Sequence, residues 1–336
     1  MIRLRIPGGQ TTSRTLLALA ELAGTLQLTS RGNLQLRGIE EKHLPAATER
    51  IRALGLLPSP SHELVRNIVA SPLTGVTPAR PDVRPLVARL DAAICATREL
   101  ADLPGRFLFA VDDGSVDVWS LAFDVGYRAL DAGRGLVALG GGSGGDPAKP
   151  NERVVSSSAA PAELVRIAAD FVRARRSSKR AWRIWELDDV PSDLAAERDV
   201  GQAGRAAPPL GAIAGAACLG VPLGFLTSTQ AAAVHEAADD GPVVVSPWRS
   251  LIVPGAATNI GALRRAGLIA DPGHPWAKIT ACVGAPGCAK SLIDTRQLAI
   301  RIAERGPRLT RPLHISGCDR RCGAPAVDHD ELVGRR

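Results

Sequence analysis

Two stretches of this chain share one pattern of apolar and polar positions. In TLLALAELAG (15–24) and STQAAAVHEAA (228–238) apolar residues recur at helical spacing, which predicts two helices with one buried face. Each is preceded by a glycine-containing segment (RIPGG, VPLGF). Each is followed by a turn bearing an arginine, a short alternating apolar strand and a glycine: TSRGNLQLRG at 29–38 and SPWRSLIVPG at 246–255. A further helical stretch then ends in RALGLLPSP (52–60) or RRAGLIADP (264–272). The unit is strand, helix, strand, helix, and its copies lie roughly 215 residues apart. Two copies predict a pseudo-twofold molecule, not a solenoid.

The region between the copies has a different pattern. PLVARLDAAICATRELADL (85–103) predicts a helix, and FLFAVDDGSVDVWSLAFDVGYRAL predicts a sheet containing a hairpin that turns at DDG. GGGSGGDPAKPNE (140–152) reads as a loop, AELVRIAADFVRAR as a helix and DVGQAGRAAPPLGA (199–212) as a linker. The chain therefore reads as α+β, with a first half at 1–60, an α/β substrate-binding domain at 61–200, a second half at 210–272 and a cysteine-bearing domain at 273–336.

Composition narrows the function. At 336 residues, 45% hydrophobic and 22% charged, the chain can bury two or three cores, which excludes wholesale disorder. No apolar run reaches the roughly 18 residues of a membrane span, and MIRLRIPGGQ lacks the order of a secretory leader, so a cytoplasmic protein is expected. The net charge of +7 points to an acidic ligand or partner, or to nucleic acid. The 36 Arg against 5 Lys also fit a GC-rich genome, which weakens that signal.

Six cysteines in a long cytosolic chain do not read as a disulfide framework. Cys95 and Cys218 lie in small-residue contexts and read as packing residues. Cys282, Cys288, Cys318 and Cys322 cluster in the last fifth of the chain, as C-x5-C, twenty-nine residues, then C-x3-C. Four soft thiolates suit zinc or an iron–sulfur cluster. Zinc sites favour tight C-x2-C knuckles, whereas CVGAPGC and CDRRC are longer and glycine-rich, with room to wrap a cluster and aim amides at sulfur. A helix starting directly after Cys288 would add its positive end to an anionic site.

ACVGAPGCAKS followed by HISGCDRRCG resembles the paired cysteine motif of the nitrite/sulfite reductase superfamily. LTSRGNLQLRG, RNIVASPLTG, LPGRFLFAVDDG, SPWRSLIVPG and CVGAPGCAKSLIDTR together resemble, in order, the blocks of its precorrin-3B synthase branch. The resemblance implies two ferredoxin-like halves plus an iron–sulfur domain. It implies a [4Fe–4S] cluster on Cys282, Cys288, Cys318 and Cys322, with the last of these also ligating siroheme iron in the reductases. For the synthase branch it implies O2-dependent hydroxylation of precorrin-3A at C20 in aerobic cobalamin biosynthesis, a mononuclear non-haem iron, and electrons from an external donor (a reductase or ferredoxin, ultimately NADH). Siroheme would replace the non-haem iron if the chain were a sulfite or nitrite reductase.

Arginines grip carboxylates bidentately and stay charged when desolvated. On the resemblance, Arg31, Arg66 and Arg106 are the foremost candidates for binding substrate carboxylates, followed by Asn67, Arg37 and Lys290. Two positions depart from the reductase pattern. Leu108 stands where a second cation follows the Leu-Pro turn, which argues against reducing a small oxyanion. Arg321 stands where the family has glycine, so it would either crowd a macrocycle face or bind a carboxylate.

The remaining signals are weaker. Gly140, Gly142 and Gly145 have G-x-G-x-x-G spacing, but Pro147 and Pro150 break the helix a dinucleotide site needs. RARRSSKRAWRIW (173–185) fits a nucleic-acid patch, a docking surface for an acidic electron donor, or a solvated helix end. His314, His329 and Asp319 are the first places to look for ligands to a mononuclear iron.

Overall fold

The computed structural model describes residues 1–140, 152–176, 181–187, 207–325 and 327–335. Gly142, Gly145 and most of the 199–212 linker lie outside the described residues.

The repeated helices span Ser13–Ala23 and Ser228–Ala238 and pack against each other. Thr12 starts the first by accepting the Thr15 amide at 3.1 Å. Thr227 and Gln230 start the second with a reciprocal capping box, at 3.2 and 3.0 Å.

Two antiparallel sheets flank these helices, and each borrows a strand. One runs Ile2–Leu4, Leu34–Leu36, Thr25–Leu28, Phe225–Thr227; the other runs Gly211–Ile213, Ala216–Gly220, Ser250–Val253, Pro242–Val245, Gln10–Thr12. Phe225–Thr227 thus completes the first half, and Gln10–Thr12 completes the second. Both halves feed one core that includes Leu16, Leu19, Leu26, Leu226, Val234, Val243 and Leu251. The segments 1–60 and 210–272 are therefore interlocked parts of one body.

The middle region is a five-stranded sheet: Ile68–Ala70, Phe109–Asp112, Val125–Ala129, Arg134–Leu139 and Glu152–Ser156. The first three strands are parallel and the last two antiparallel. Helices Arg84–Ala96 and Ala160–Arg175 share its core. The expected 85–103 helix stops at Ala96, and a tighter turn covers Arg98–Asp102.

The hairpin expected at DDG is corrected by this topology, because Phe109–Asp112 and Val125–Ala129 run parallel. Asp112 Oδ1 accepts the amides of Gly114 (2.8 Å) and Val116 (2.9 Å), and Asp113 Oδ1 accepts that of Ser115 (3.0 Å). These bonds coil the loop onto the sheet end and do not reverse it. The hairpin lies one connection later, at 130–133, where Asp131 Oδ1 accepts the amides of Gly133 and Arg134, each at 2.9 Å.

The last sheet is parallel: Ile279–Ala281, Leu313–Ser316 and Asp330–Val333, with helix Thr295–Glu304 on one face.

Burial, with Asp117 next in weight, pushes the Asp112 carboxyl from its ordinary 3.8 up to about 6. The folded chain then binds this proton more tightly than the unfolded chain, so the group's contribution to stability falls as pH rises from about 4 to 6. Asp112→Asn removes the titration. Its stability relative to the parent should rise across that window by up to about 3 kcal/mol, read from urea unfolding at several pH values. A difference that does not change with pH would rule the assignment out.

Candidate functional site

One backbone oxygen gathers a cationic site. Pro104 and Gly105 form the turn before the buried strand Phe109–Asp112, and the Gly105 carbonyl accepts from Asn67 Nδ2 (3.0 Å), Arg31 Nη1 (3.3 Å) and Arg5 Nη2 (3.5 Å). Arg5 Nη2 also reaches the Leu64 carbonyl at 3.0 Å. Behind them, Asn33 accepts the Ile6 amide through Oδ1 (2.8 Å) and donates to Asn67 Oδ1 (3.3 Å). Arg5, Arg31 and Asn33 come from the first half, and Asn67 and Gly105 from the middle sheet. The site therefore lies on their seam.

Its charge is poorly neutralised. Burial, then the charge of Arg31, lowers Arg5 to about 10. Burial, then Arg183, lowers Arg31, with Asp124 opposing. Crowded, half-desolvated guanidiniums are stabilised by an incoming anion. Arg106 is exposed and lies 5.8 Å from the ring centre of Trp182.

Arg183 and Asp124 fix the segments that form this site. Arg183 donates to the carbonyls of Arg106 (2.5 Å) and Ala122, stacks over Trp185 (4.3 Å) and lies 3.4 Å from Asp124 Oδ2. Asp124 accepts the amides of Ile184 (2.7 Å) and Leu108 (2.8 Å), and burial pushes its carboxyl up to about 6. The described part of the basic 173–185 run thus includes a structural arginine.

The other candidates separate. Arg66 forms a bidentate pair with Asp91 at 2.7 and 2.8 Å, with Glu63 3.6 Å away, and so is committed within the middle domain. Arg37 donates to Gln27 (2.7 Å) and Gln35 (3.2 Å). Burial depresses its pKa and the charge of Arg3 adds to this, while Cys288 acts in the opposite sense, which places Arg37 toward the cysteines. Lys290 is exposed. Leu108 is buried among Val69, Ala110, Val118 and Phe123, so this position carries a packing residue and no charge.

Sequence reasoning missed Arg5, Arg183 and Arg249. The signals were present in RIPGG and SPWRS, both recognised as repeat elements without weight given to their arginines. Arg249 adopts φ 57°, is depressed in pKa by burial, and directs Nη2 to the Gly323 carbonyl at 3.4 Å, beside Cys322.

Cys282 and Cys318 follow neighbouring parallel strands and so stand beyond the same sheet end. The Cys282 amide donates to the Ile315 carbonyl (3.0 Å), and the Gly317 amide points at Cys282 Sγ (3.2 Å). Gly317 cannot carry a side chain, since a Cβ there would lie 1.8 Å from Ser291 Oγ. The helix expected directly after Cys288 begins only at Thr295. Asp294 caps it by accepting the amides of Gln297 (3.0 Å) and Arg296 (3.1 Å), so the helix's positive end is met by its own carboxylate. Thr295 instead supports the site, donating to the Cys282 carbonyl at 2.8 Å.

Arg321 has φ 45°, the left-handed region that favours glycine, and its Nε binds Glu331 Oε2 at 2.8 Å. Cys218 is buried, with its thiol pushed up to about 12, and Cys95 lies on helix Arg84–Ala96. Among the described residues no three His, Cys, Asp or Glu are gathered to hold a single ion. An amide aimed at sulfur, glycines where side chains would clash, and four soft donors make the Cys282–Cys288–Cys318–Cys322 set one that could hold a cluster.

Comparison with known proteins agrees with this architecture. Residues 1–54 match the nitrite/sulfite reductase ferredoxin-like half domain. The chain is 28% identical to a ferredoxin–nitrite reductase of Synechococcus elongatus, with 100% of this chain and 76% of that protein covered. It is 25% identical to a precorrin-3B synthase of Sinorhizobium, covering 99% and 77%. The structure of Mycobacterium tuberculosis NirA superposes with a TM-score of 0.71 at 20% identity, over 94% of this chain and 67% of that one. The expected fold of ferredoxin-like halves is borne out. Among the described residues no helix is long and apolar enough to cross a membrane.

Asp124→Ala should lower the unfolding free energy by about 3–5 kcal/mol, because it leaves Arg183 buried without its carboxylate and two amides unpaired. Urea unfolding measures this, and a loss under 1 kcal/mol would show that Asp124 does not fix these segments.

Proposed function

The chain is a relative of the nitrite and sulfite reductases, and from that premise we propose that it is an iron–sulfur oxidoreductase of the precorrin-3B synthase type. It would hydroxylate precorrin-3A at C20, placing one atom of dioxygen on the substrate and releasing the other as water. Two electrons and two protons come from outside the chain, with the electrons drawn from a reductase or ferredoxin and ultimately from NADH.

The observation that carries this reading is the charge at the seam. Leu108 is a buried apolar residue and Arg66 is neutralised by Asp91. The density of free cations suited to multi-electron reduction of a small oxyanion is therefore reduced. Arg5 and Arg31 remain, converging on the Gly105 carbonyl, with Arg106 exposed next to it in the chain, and these guanidiniums would take carboxylates of one large substrate. These arginines would bind and orient the macrocycle, with Asn67 holding the Gly105 carbonyl in place and Trp182 at the rim beside Arg106.

Cys282, Cys288, Cys318 and Cys322 would hold a [4Fe–4S] cluster, with Gly317 N–H stabilising the sulfur of Cys282. When bound, the cluster relays single electrons and a non-haem iron supplies the dioxygen chemistry. Arg37, whose guanidinium feels the charge of Cys288, would add positive charge on the cluster side. The Arg321–Glu331 pair draws the Arg321 head group toward the last strand, which answers the crowding its size would otherwise cause. A second reading, a siroheme-dependent nitrite or sulfite reductase, is favoured by the 28% identity to the cyanobacterial nitrite reductase.

Optical and EPR spectra of anaerobically purified protein, with iron, zinc and sulfide analysis, separate these readings. Iron with matching sulfide and a broad brown absorption is expected. Sharp siroheme bands would shift the assignment to the reductase, and a colourless zinc protein would end both. With precorrin-3A and dioxygen as substrates, Arg31→Ala should raise KM tenfold or more at unchanged iron and sulfide content. An unchanged KM would take Arg31 out of the binding site.

A further inference from the structure

Each half of the molecule contains the same turn, and the two copies differ at its left-handed position. Thr29 Oγ1 accepts the amides of Arg31 (3.3 Å) and Asn33 (3.1 Å), and the Thr29 carbonyl accepts that of Gly32 (3.2 Å). Ser246 repeats this: Oγ accepts the amides of Trp248 and Ser250, each at 3.2 Å, and the carbonyl accepts that of Arg249 (3.2 Å). Trp248 therefore occupies the place of Arg31, and Arg249 that of Gly32. Gly32 (φ 65°) and Arg249 (φ 57°) are both left-handed, a conformation that suits glycine and strains arginine. Strain of this kind persists where the side chain it carries has a function.

Two glycines leave room for that side chain. A Cβ on Gly224 would lie 2.9 Å from Arg249 Cδ, and one on Gly323 would lie 2.9 Å from Nη2. Nη2 donates to the Gly323 carbonyl at 3.4 Å, and among the described residues the guanidinium meets no carboxylate and no second acceptor. Arg249 lines a cavity of about 260 Å³ on the seam between the second half and the cysteine-bearing domain. Lys278, whose Nζ donates to the Leu309 carbonyl at 2.7 Å, adds a second cation, and Trp248 and Trp276 supply apolar wall. No described residue of the lining is acidic.

A half-desolvated guanidinium with donors to spare is stabilised by an anion, and its planar fork matches a carboxylate. Tryptophan walls would leave the outer oxygens of a phosphate without donors, whereas they suit an apolar body. The volume lies just below the roughly 300–1,000 Å³ of drug-sized pockets, so that body is about one ring in size. We propose that this cavity binds a small organic carboxylate, its charged end on Arg249 and its apolar body against Trp248 and Trp276. The site is separate from the Gly105 turn, and binding there does not depend on the reaction proposed above.

The test is a 19F NMR titration with 4-fluorobenzoate, in an Arg31→Ala background that removes the carboxylate site proposed at the first seam. One bound probe per chain is expected. 4-Fluorobenzamide, similar in shape but uncharged, should bind at least tenfold more weakly. Arg249→Gly restores the residue of the first copy, which relieves the strain and guards against a failure of folding. It should weaken 4-fluorobenzoate at least tenfold, with iron and sulfide per chain unchanged. The amide comparison needs no substitution at the site and decides the matter even if that variant loses iron. Equal affinity for acid and amide, unchanged affinity in Arg249→Gly, or no binding would each overturn the proposal, as would displacement of the probe by an equal concentration of inorganic phosphate. A separate acid and an arm of a larger molecule share this chemistry. Displacement of the probe by uroporphyrin I, an octacarboxylate macrocycle, would assign the site to such an arm, and lack of displacement to a separate acid.

Discussion

A single carbonyl oxygen, that of Gly105, ties the first half of the molecule to its middle sheet. It accepts from Asn67, Arg31 and Arg5 at once, and a half-buried carbonyl sharing several donors fixes all of them relative to one another. The arginines are thereby held at short mutual distances that they would avoid in water. Arg183 and Asp124 supply the rigidity from behind, clamping the residues on either side of the turn. In the function proposed above, the carboxylate-binding groups would stand in place before the substrate arrived, leaving little ordering cost at binding.

The duplicated strand–helix units and the clustering of cysteines in the sequence were legible because each is written in local pattern, whereas the caps were not read. The helix ends at Thr12 and Thr227 are capping residues at consecutive equivalent places. Other features depend on partners far away in sequence. Nothing near Arg66, in the loop before strand Ile68–Ala70, announces Asp91 on helix Arg84–Ala96, and the resemblance favoured a substrate role that the ion pair occupies. The DDG turn has the composition of a hairpin, yet its carboxylates coil it locally and a parallel neighbour decides its direction. Residues 289–294 were read as helix, but Asp294 accepts the amides of Arg296 and Gln297 and so starts the helix at Thr295. Arg5 went unnoticed because an arginine in an arginine-rich chain carries little information until its burial is known.

The cysteine-bearing sheet shows how a small parallel unit can be specialised face by face. Its apolar side needs only one helix for cover, and that helix also secures Cys282 through Thr295. The unusual arginine before Cys322 fits the same economy. Its left-handed backbone is the conformation the tight cysteine loop requires, and its side chain is drawn to Glu331 on the outermost strand. A glycine would satisfy the backbone more cheaply but would leave the last strand without that tether.

The exchanged strands have a consequence in time. Gln10–Thr12 leaves the ribosome before its partner Pro242–Val245, which follows some 230 residues later. At roughly 5–20 residues per second, that strand waits on the order of 10–50 s for its pairing edge. The first half is also missing Phe225–Thr227 during the wait, so its own sheet ends in an open edge. Neither half can close during synthesis, and the protein becomes a single folded body only when the second copy of its repeat has emerged.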